Sequence, residues 1–344
     1  MSDTVYDFRS DNVGGVAPEL LEAIVAANHG TAAPYGDDHF THRMTARFRE
    51  AFEHPQLTVF PVPTGTGANV VALAGLANPY GAIYCHATAH INVYECGAPE
   101  QATGAKLVAL GGADYKLNAK ALEAVLGLAG RGNPTRVQPF ALNVTQPTDF
   151  GTVYGLDELR SLCDVAHRHG LRVHLDGARF ANALAALGCS PAEMSWRAGV
   201  DVLSFGATKN GAMNAEAVVV FDPAVAATVP YLMKRGGQVL SKARYVSAQL
   251  ERYLADDRWL QRARAANDHA RRLADRLLAT GIELVGDVQV NMLFTRMPAE
   301  VVAALDRGPF RYYKLGLEQR FVCRHDQEIE GMDVLVGTVA QALV

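Results

Sequence analysis

Two apolar runs, each ending in a charged residue, constrain this chain most. LRVHLDGARF carries Val173 and Leu175 into Asp176, Gly177, Ala178 and Arg179; VDVLSFGATKNG carries Val202, Leu203 and Phe205 into Lys209. Both have the β-rich, nearly continuous apolar pattern of parallel strands covered on both faces. Between them, Pro191 to Ala198 reads as a short helix. A charged residue just past each of two neighbouring parallel strands projects into the crevice at their carboxyl ends, where open α/β sheets bind ligands.

An acid and a lysine sharing that crevice suit one chemistry in particular. Pyridoxal phosphate takes a lysine for its covalent attachment and a carboxylate to keep its pyridine nitrogen protonated. Each residue alone has a plainer reading: Asp176 before Gly177 serves equally as a turn or helix-capping residue, and most lysines are solvated charges. The apolar strand ahead of Lys209 partly desolvates its ammonium, which favours the neutral amine. On spacing alone, both readings stand.

With 344 residues, 49% hydrophobic and 20% charged, the chain has material for two domains or one large α/β unit. A net charge of -4 provides no basic surface for nucleic acid or an anionic membrane. No apolar run reaches the roughly 20 residues of a membrane helix, and the polar, acidic start MSDTVYDFRSDN does not read as a secretory signal. Five scattered cysteines (Cys85, Cys96, Cys163, Cys189, Cys323) lack CxxC or zinc spacing, so reduced thiols in the cytoplasm are expected.

Along the chain, an N-terminal arm to Val16 precedes a helix from Pro18, a loop holding Tyr35, Asp37 and Asp38, and a helix over Thr41 to Glu53. LTVFPVPTGTGANVVALAGLA reads as strand, glycine turn and helix. Gly65, Thr66 and Gly67 would let an anion approach the first-turn amides, although the turn lacks a P-loop ending and a plain strand-to-helix turn fits as well. His86 and His90 are spaced i,i+4. Three readings apply: a metal pair joined by Glu95, packed histidines, or an imidazole stacked on a cofactor ring. The series strand AKLVAL, helix Asn118 to Leu128, strand PFALNVT, loop QPTDFGTVY, helix Leu156 to His169 predicts a mainly parallel sheet with crossover helices. After Lys209 come a strand over Ala217 to Phe221 and a helix over Pro223 to Leu232. The basic segment YLMKRGGQVLSKARY that follows is a solvated turn or an anion site. A helix over Trp259 to Thr280 then leads into strands, a helix over Ala299 to Asp306, strand RFVCRH and a helix over Gly331 to Leu343. The expected organisation is a large domain over residues 1–247, with the arm, and a smaller α+β domain over residues 248–344.

Together the motifs FRSDN, YGDD, TGTGAN, AHINVYECG, HLDGARF and GATKNG, with SKARY and RFVCRHD further on, resemble the low-specificity L-threonine aldolases, fold-type-I pyridoxal phosphate enzymes. The likeness covers essentially the whole chain. It implies Lys209 as the cofactor lysine, Asp176 at the pyridine nitrogen, Arg179 at the phenolic oxygen, and His90 on the ring face. Gly65 and Thr66, with the Gly67 amide, would hold the phosphate. Ser10 and Arg320 match positions that bind the amino-acid carboxylate, with Arg179 beside the substrate; Tyr35 matches an active-site loop tyrosine. Arg244, and with it Lys242, would reach the phosphate of a neighbouring subunit, in a homodimer at least and a homotetramer in the fuller form. His90 and a water near the phosphate are the candidates to take the substrate's hydroxyl proton.

The implied reaction is retro-aldol cleavage of L-threonine, L-allo-threonine and phenylserine-like β-hydroxy amino acids to glycine and an aldehyde. Its near alternative is β-elimination or transamination on the same cofactor. Distant alternatives are a metal-dependent hydrolase on His86, His90 and Glu95, and a cofactor-binding protein without catalysis. The chain departs from the family where many members carry a histidine ahead of the PFALNVT strand: Asn133-Pro134-Thr135-Arg136-Val137 has none, which leaves the preference at Cβ open. It also has GGQVLSKARY in place of the commoner GGGMRQ form.

Overall fold

In a computed structural model, which describes residues 4–344, the two apolar runs lie side by side as the parallel strands Arg172–Gly177 and Val202–Gly206, with Asp176 opposite Ser204. They sit in a seven-stranded sheet. The order is Thr58–Val62, Glu216–Val220, Val202–Gly206, Arg172–Gly177, Gln138–Thr145, Gly81–His86 and Lys106–Leu110. Glu216–Val220 is antiparallel to both neighbours and all other adjacent pairs are parallel, so six strands share one direction.

The continuous apolar pattern has the cause expected of it. Ile83, Cys85, Ala141, Val202, Val218 and Val220 enter one core with the helix Gly65–Leu76. Their chain neighbours Ala82, Tyr84, Leu142, Leu203, Ala217 and Val219 enter another, with helices that include Leu156–Arg168 and Phe180–Leu187. With period-two side chains, two buried faces favour an apolar residue at nearly every position, the buried Asn143, His174 and Ser204 being hydrogen-bonded to one another.

A four-stranded antiparallel sheet, Tyr313–Leu315, Glu318–Val322, Met292–Arg296 and Glu283–Leu284, forms the C-terminal region. The N-terminal segment joins it: Tyr6–Asp7 pairs in parallel with Phe310–Arg311, and Tyr6 and Phe8 pack into a core with Leu293, Phe321 and Leu335. The helix Arg258–Ala279 links the regions, burying Trp259 and Ala263 against the large sheet's core and Leu273 and Leu277 against the small one's. Two elements depart from expectation. Pro191 to Ala198 contributes only the 3-10 turn Trp196–Ala198, and the expected helix over Pro223 to Leu232 is two helices, Pro223–Ala226 and Val229–Arg235. The basic segment's SKARY opens a helix, Arg244–Tyr253, which spans the expected boundary at residue 247.

Candidate active site

The site lies where the ends of four strands meet the first turn of Gly65–Leu76. Two glycines let the loops close on one another. A Cβ on Gly206 would stand 2.6 Å from the Ala178 carbonyl oxygen, and one on Gly177 would stand 2.7 Å from Leu203 and 2.8 Å from the Ser204 oxygen. Because both stay bare, the turn carrying Lys209 lies against the turn carrying Asp176. One cavity is lined by Gly65, Thr66, Asn69, His90, Glu95, Asp149, Asp176, Arg179 and Lys209, among others.

Asp176 is buried, with one oxygen accepting from the Asn69 side chain at 3.1 Å and the other from the Ala178 amide at 3.1 Å. Asn69 also donates to Glu95 at 2.8 Å, and the same Glu95 oxygen lies 2.9 Å from His90 Nδ1. A hydrogen-bonded chain therefore runs Asp176–Asn69–Glu95–His90. Its effect on His90 is to hold the imidazole pKa above the ordinary histidine range, first through the Glu95 hydrogen bond and against the opposing effect of burial. The charged imidazole is thus favoured in the fold, a contribution fully present below the unfolded pKa and lost as pH rises through the raised value. Glu95→Gln is expected to bring the His90 midpoint down, as an NMR titration would show; an unmoved midpoint would deny Glu95 that role.

Lys209 makes no ion pair among the described residues. Burial, and then the Arg179 guanidinium, lower its pKa, with Asp11, Asp176 and Asp149 opposing. Arg179 is held by Asp11, Nε to Oδ2 at 2.8 Å and Nη2 to Oδ2 at 2.6 Å, with both side chains nearly buried, and Asn291 donates to the other Asp11 oxygen. Arg320 has no acid partner among the described residues. Its Nη2 donates to the Arg9 carbonyl at 3.2 Å, its Nε is buried and unpaired, and its guanidinium lies 5.0 Å from the Tyr313 ring centroid. Burial and the nearby charge of Arg179 depress its pKa. Arg320, without an acid partner among the described residues and within the electrostatic reach of Arg179, is suited to an anion.

Six of the sequence-predicted residues therefore line one cavity: Gly65, Thr66, His90, Asp176, Arg179 and Lys209. The others are placed differently. The Gly67 amide is taken by the Thr64 hydroxyl at 3.0 Å, a helix cap, so the first-turn amides left without a protein acceptor among the described residues are those of Gly65 and Thr66. Gln238 lies against Gly67, where a Cβ would stand 2.4 Å from its oxygen. Ser10 caps a short turn, accepting from the Asn12 amide at 3.2 Å. Tyr35 is exposed, at a positive φ of 62°, with Lys234 Nζ 5.5 Å from its ring centroid, and lines a separate cavity. Lys242 is exposed, and Arg244 donates to the Gly30 carbonyl at 3.2 Å; neither lines the Lys209 cavity. His86 turns to Thr88 at 2.8 Å, and no three His, Cys, Asp or Glu side chains are grouped as metal ligands among the described residues. The His86–His90–Glu95 metal site is not assembled.

The sequence reading missed Asn69, Asp11 and Asp149. Asn69 and Asp11 sit inside the motifs TGTGAN and FRSDN, but nothing in spacing says which motif members turn inward.

These residues fit pyridoxal phosphate on structural grounds. A desolvated amine without an ion pair, a buried carboxylate held by two donors, and two open amides of a helix's first turn surround one cavity. Fold and site together define a fold-type-I pyridoxal phosphate enzyme. The beta-eliminating lyase family matches residues 7–300. The chain is 40% identical over 334 residues to a low specificity L-threonine aldolase of Pseudomonas aeruginosa, covering 96% of each. A solved threonine aldolase from Leishmania major superposes with a TM-score of 0.93 at 26% identity, covering 98% of this chain and 100% of that one. A serine palmitoyltransferase of Sphingomonas wittichii shares the fold alone, with a TM-score of 0.71 at 16% identity over 98% and 87% of the two chains. The chain belongs to the beta-eliminating lyase family and, by its 40% likeness over nearly its full length, to the low-specificity L-threonine aldolases among them. No helix of the described residues is long and apolar enough to cross a membrane.

Proposed function

We propose that this protein cleaves L-threonine, L-allo-threonine and related L-β-hydroxy-α-amino acids between Cα and Cβ, giving glycine and an aldehyde. The observation that carries the reading is the single cavity shared by Lys209, Asp176, His90 and Arg179. When bound, pyridoxal phosphate supplies a sink for the electron pair released at Cα. Lys209 offers the amine that holds it, and its lowered pKa makes that amine available. Asp176 would keep a pyridinium protonated, while His90 would offer a ring face and Gly65 and Thr66 would offer amides to the phosphate. Arg179 would hold the phenolic oxygen, next to the substrate.

Arg320, unpaired and beside Arg179, takes the amino-acid carboxylate, with Ser10 in the neighbouring segment. Holding that carboxylate fixes the substrate's orientation, so that the bond to Cβ and no other is aligned for cleavage. Tyr35, Lys242 and Arg244 do not line their own chain's cavity, which supports their serving that of a neighbouring copy. We therefore read the working form as a homodimer at least, and a homotetramer in full. Five free cysteines fit a cytoplasmic setting.

The products of L-threonine test the reading. Glycine with acetaldehyde is expected; 2-oxobutanoate would point to the β-eliminating alternative, and transfer of the amino group to transamination.

A further inference from the structure

Among the described residues, Asp149 is the one carboxylate lining this cavity that has no hydrogen-bond or ion-pair partner. It lies in the loop after Gln138–Thr145, and that loop is pinned on both sides of it. Gln146 donates its amide to the Asp176 carbonyl at 2.9 Å, and its side chain bonds both the amide and the carbonyl of Tyr154 at 2.9 Å. Thr148 bonds Thr152 through backbone, at 2.9 Å, and through hydroxyls, at 2.8 Å. Asp149 itself makes no hydrogen bond or ion pair among the described residues, and its Oδ2 is buried.

Asp176, Glu95 and Asp11 each have partners, although Glu95 Oε2 is left open. Asp176 accepts from Asn69 and Ala178, Glu95 from Asn69 and His90, and Asp11 from Arg179 and Asn291. A buried polar group left bare beside a cavity, on a backbone fixed by its neighbours, is arranged for a ligand.

We propose that Asp149 takes the Cβ hydroxyl proton of the substrate, an inference that rests on the retro-aldol reading. The carboxylate oxygen accepts the proton, the O–H pair becomes the second bond of the aldehyde carbonyl, and the Cα–Cβ bond breaks, leaving its pair at Cα. In the reverse direction, the protonated Asp149 returns its proton to the new alkoxide. The surroundings favour this use. Burial and then the charge of Asp176 raise the Asp149 pKa, against the opposing charges of His90, Lys209 and Arg179, so accepting a proton is favoured there. His90 Nδ1, by contrast, is committed to Glu95, which leaves His90 only Nε2.

The test uses the cofactor-loaded protein and separates the two half-reactions. Wild type and Asp149→Asn are compared for cleavage of L-threonine, for exchange of the glycine α-hydrogen with solvent, and for glycine binding read from the visible absorbance. Glycine has no hydroxyl, so only cleavage needs the proposed proton transfer. For Asp149→Asn we expect kcat for cleavage to fall by on the order of 10²-fold and to lose the acid limb of its pH profile, while glycine binding and exchange stay near wild type. Retained cleavage would overturn the proposal, and so would a parallel loss of glycine binding and exchange, which would make Asp149 a support of the site. Should the wild type give no acetaldehyde from threonine, the reading of the function fails first, and visibly so.

Discussion

Lys209→Ala is expected to abolish turnover, by at least about 10³-fold, the scale on which removal of a covalent group acts, while the protein stays folded. The structure gives both halves of that expectation. The Lys209 ammonium is desolvated, makes no ion pair among the described residues, and has its pKa lowered by burial first and by Arg179 next. A side chain so placed adds little to stability, since burying an ammonium is itself unfavourable. Alanine should therefore leave the melting temperature unchanged or raised. The loaded protein's visible absorbance should disappear with activity. A variant that keeps turnover would remove Lys209 from the mechanism, and one that fails to fold would show the lysine to be structural.

Asp176→Asn should be nearly as damaging, by on the order of 10²-fold or more, because it removes the negative charge that a pyridinium requires. It also disturbs the site's hydrogen bonds. Asp176 accepts from both the Asn69 side chain and the Ala178 amide. An asparagine can accept on one side only, so its amide nitrogen must face one of these two donors. Asn69 could turn its free oxygen to meet it, but its own nitrogen would then leave Glu95. One buried polar group stays unsatisfied in each arrangement, at a cost of about 1–3 kcal/mol. The variant should melt lower than wild type and titrate His90 differently through the broken chain. Full activity with an unmoved His90 midpoint would contradict both parts.

The class of fold was readable because both of its buried strands are apolar at nearly every position, a pattern that a sheet covered on two faces favours. Lys209 and Asp176 were readable for a related reason: a charge at the end of such a strand has one crevice to enter. What the sequence could not show is partnership. Asn69 and Glu95 are polar residues on different elements, and only the packing of Gly65–Leu76 beside the His90 turn joins them into a chain with Asp176. Asp11 was passed over for Ser10, its neighbour in FRSDN, because chain spacing says nothing of which of two adjacent polar side chains turns inward. Asp149 was hidden in a loop whose composition suits a solvated turn. The helix Arg244–Tyr253 was missed because its start carries the cations of SKARY, which read as loop; its buried face, Val246, Leu250 and Tyr253, is the signal that could have found it.

The account depends on the amine of Lys209 being where pyridoxal phosphate is held. Reducing the cofactor-loaded protein with borohydride and mapping its peptides measures this directly. The result predicted is one phosphopyridoxyl group per chain, on the peptide that contains Thr208, Lys209 and Asn210. A label on any other lysine, or none on a protein that cleaves threonine, would contradict it.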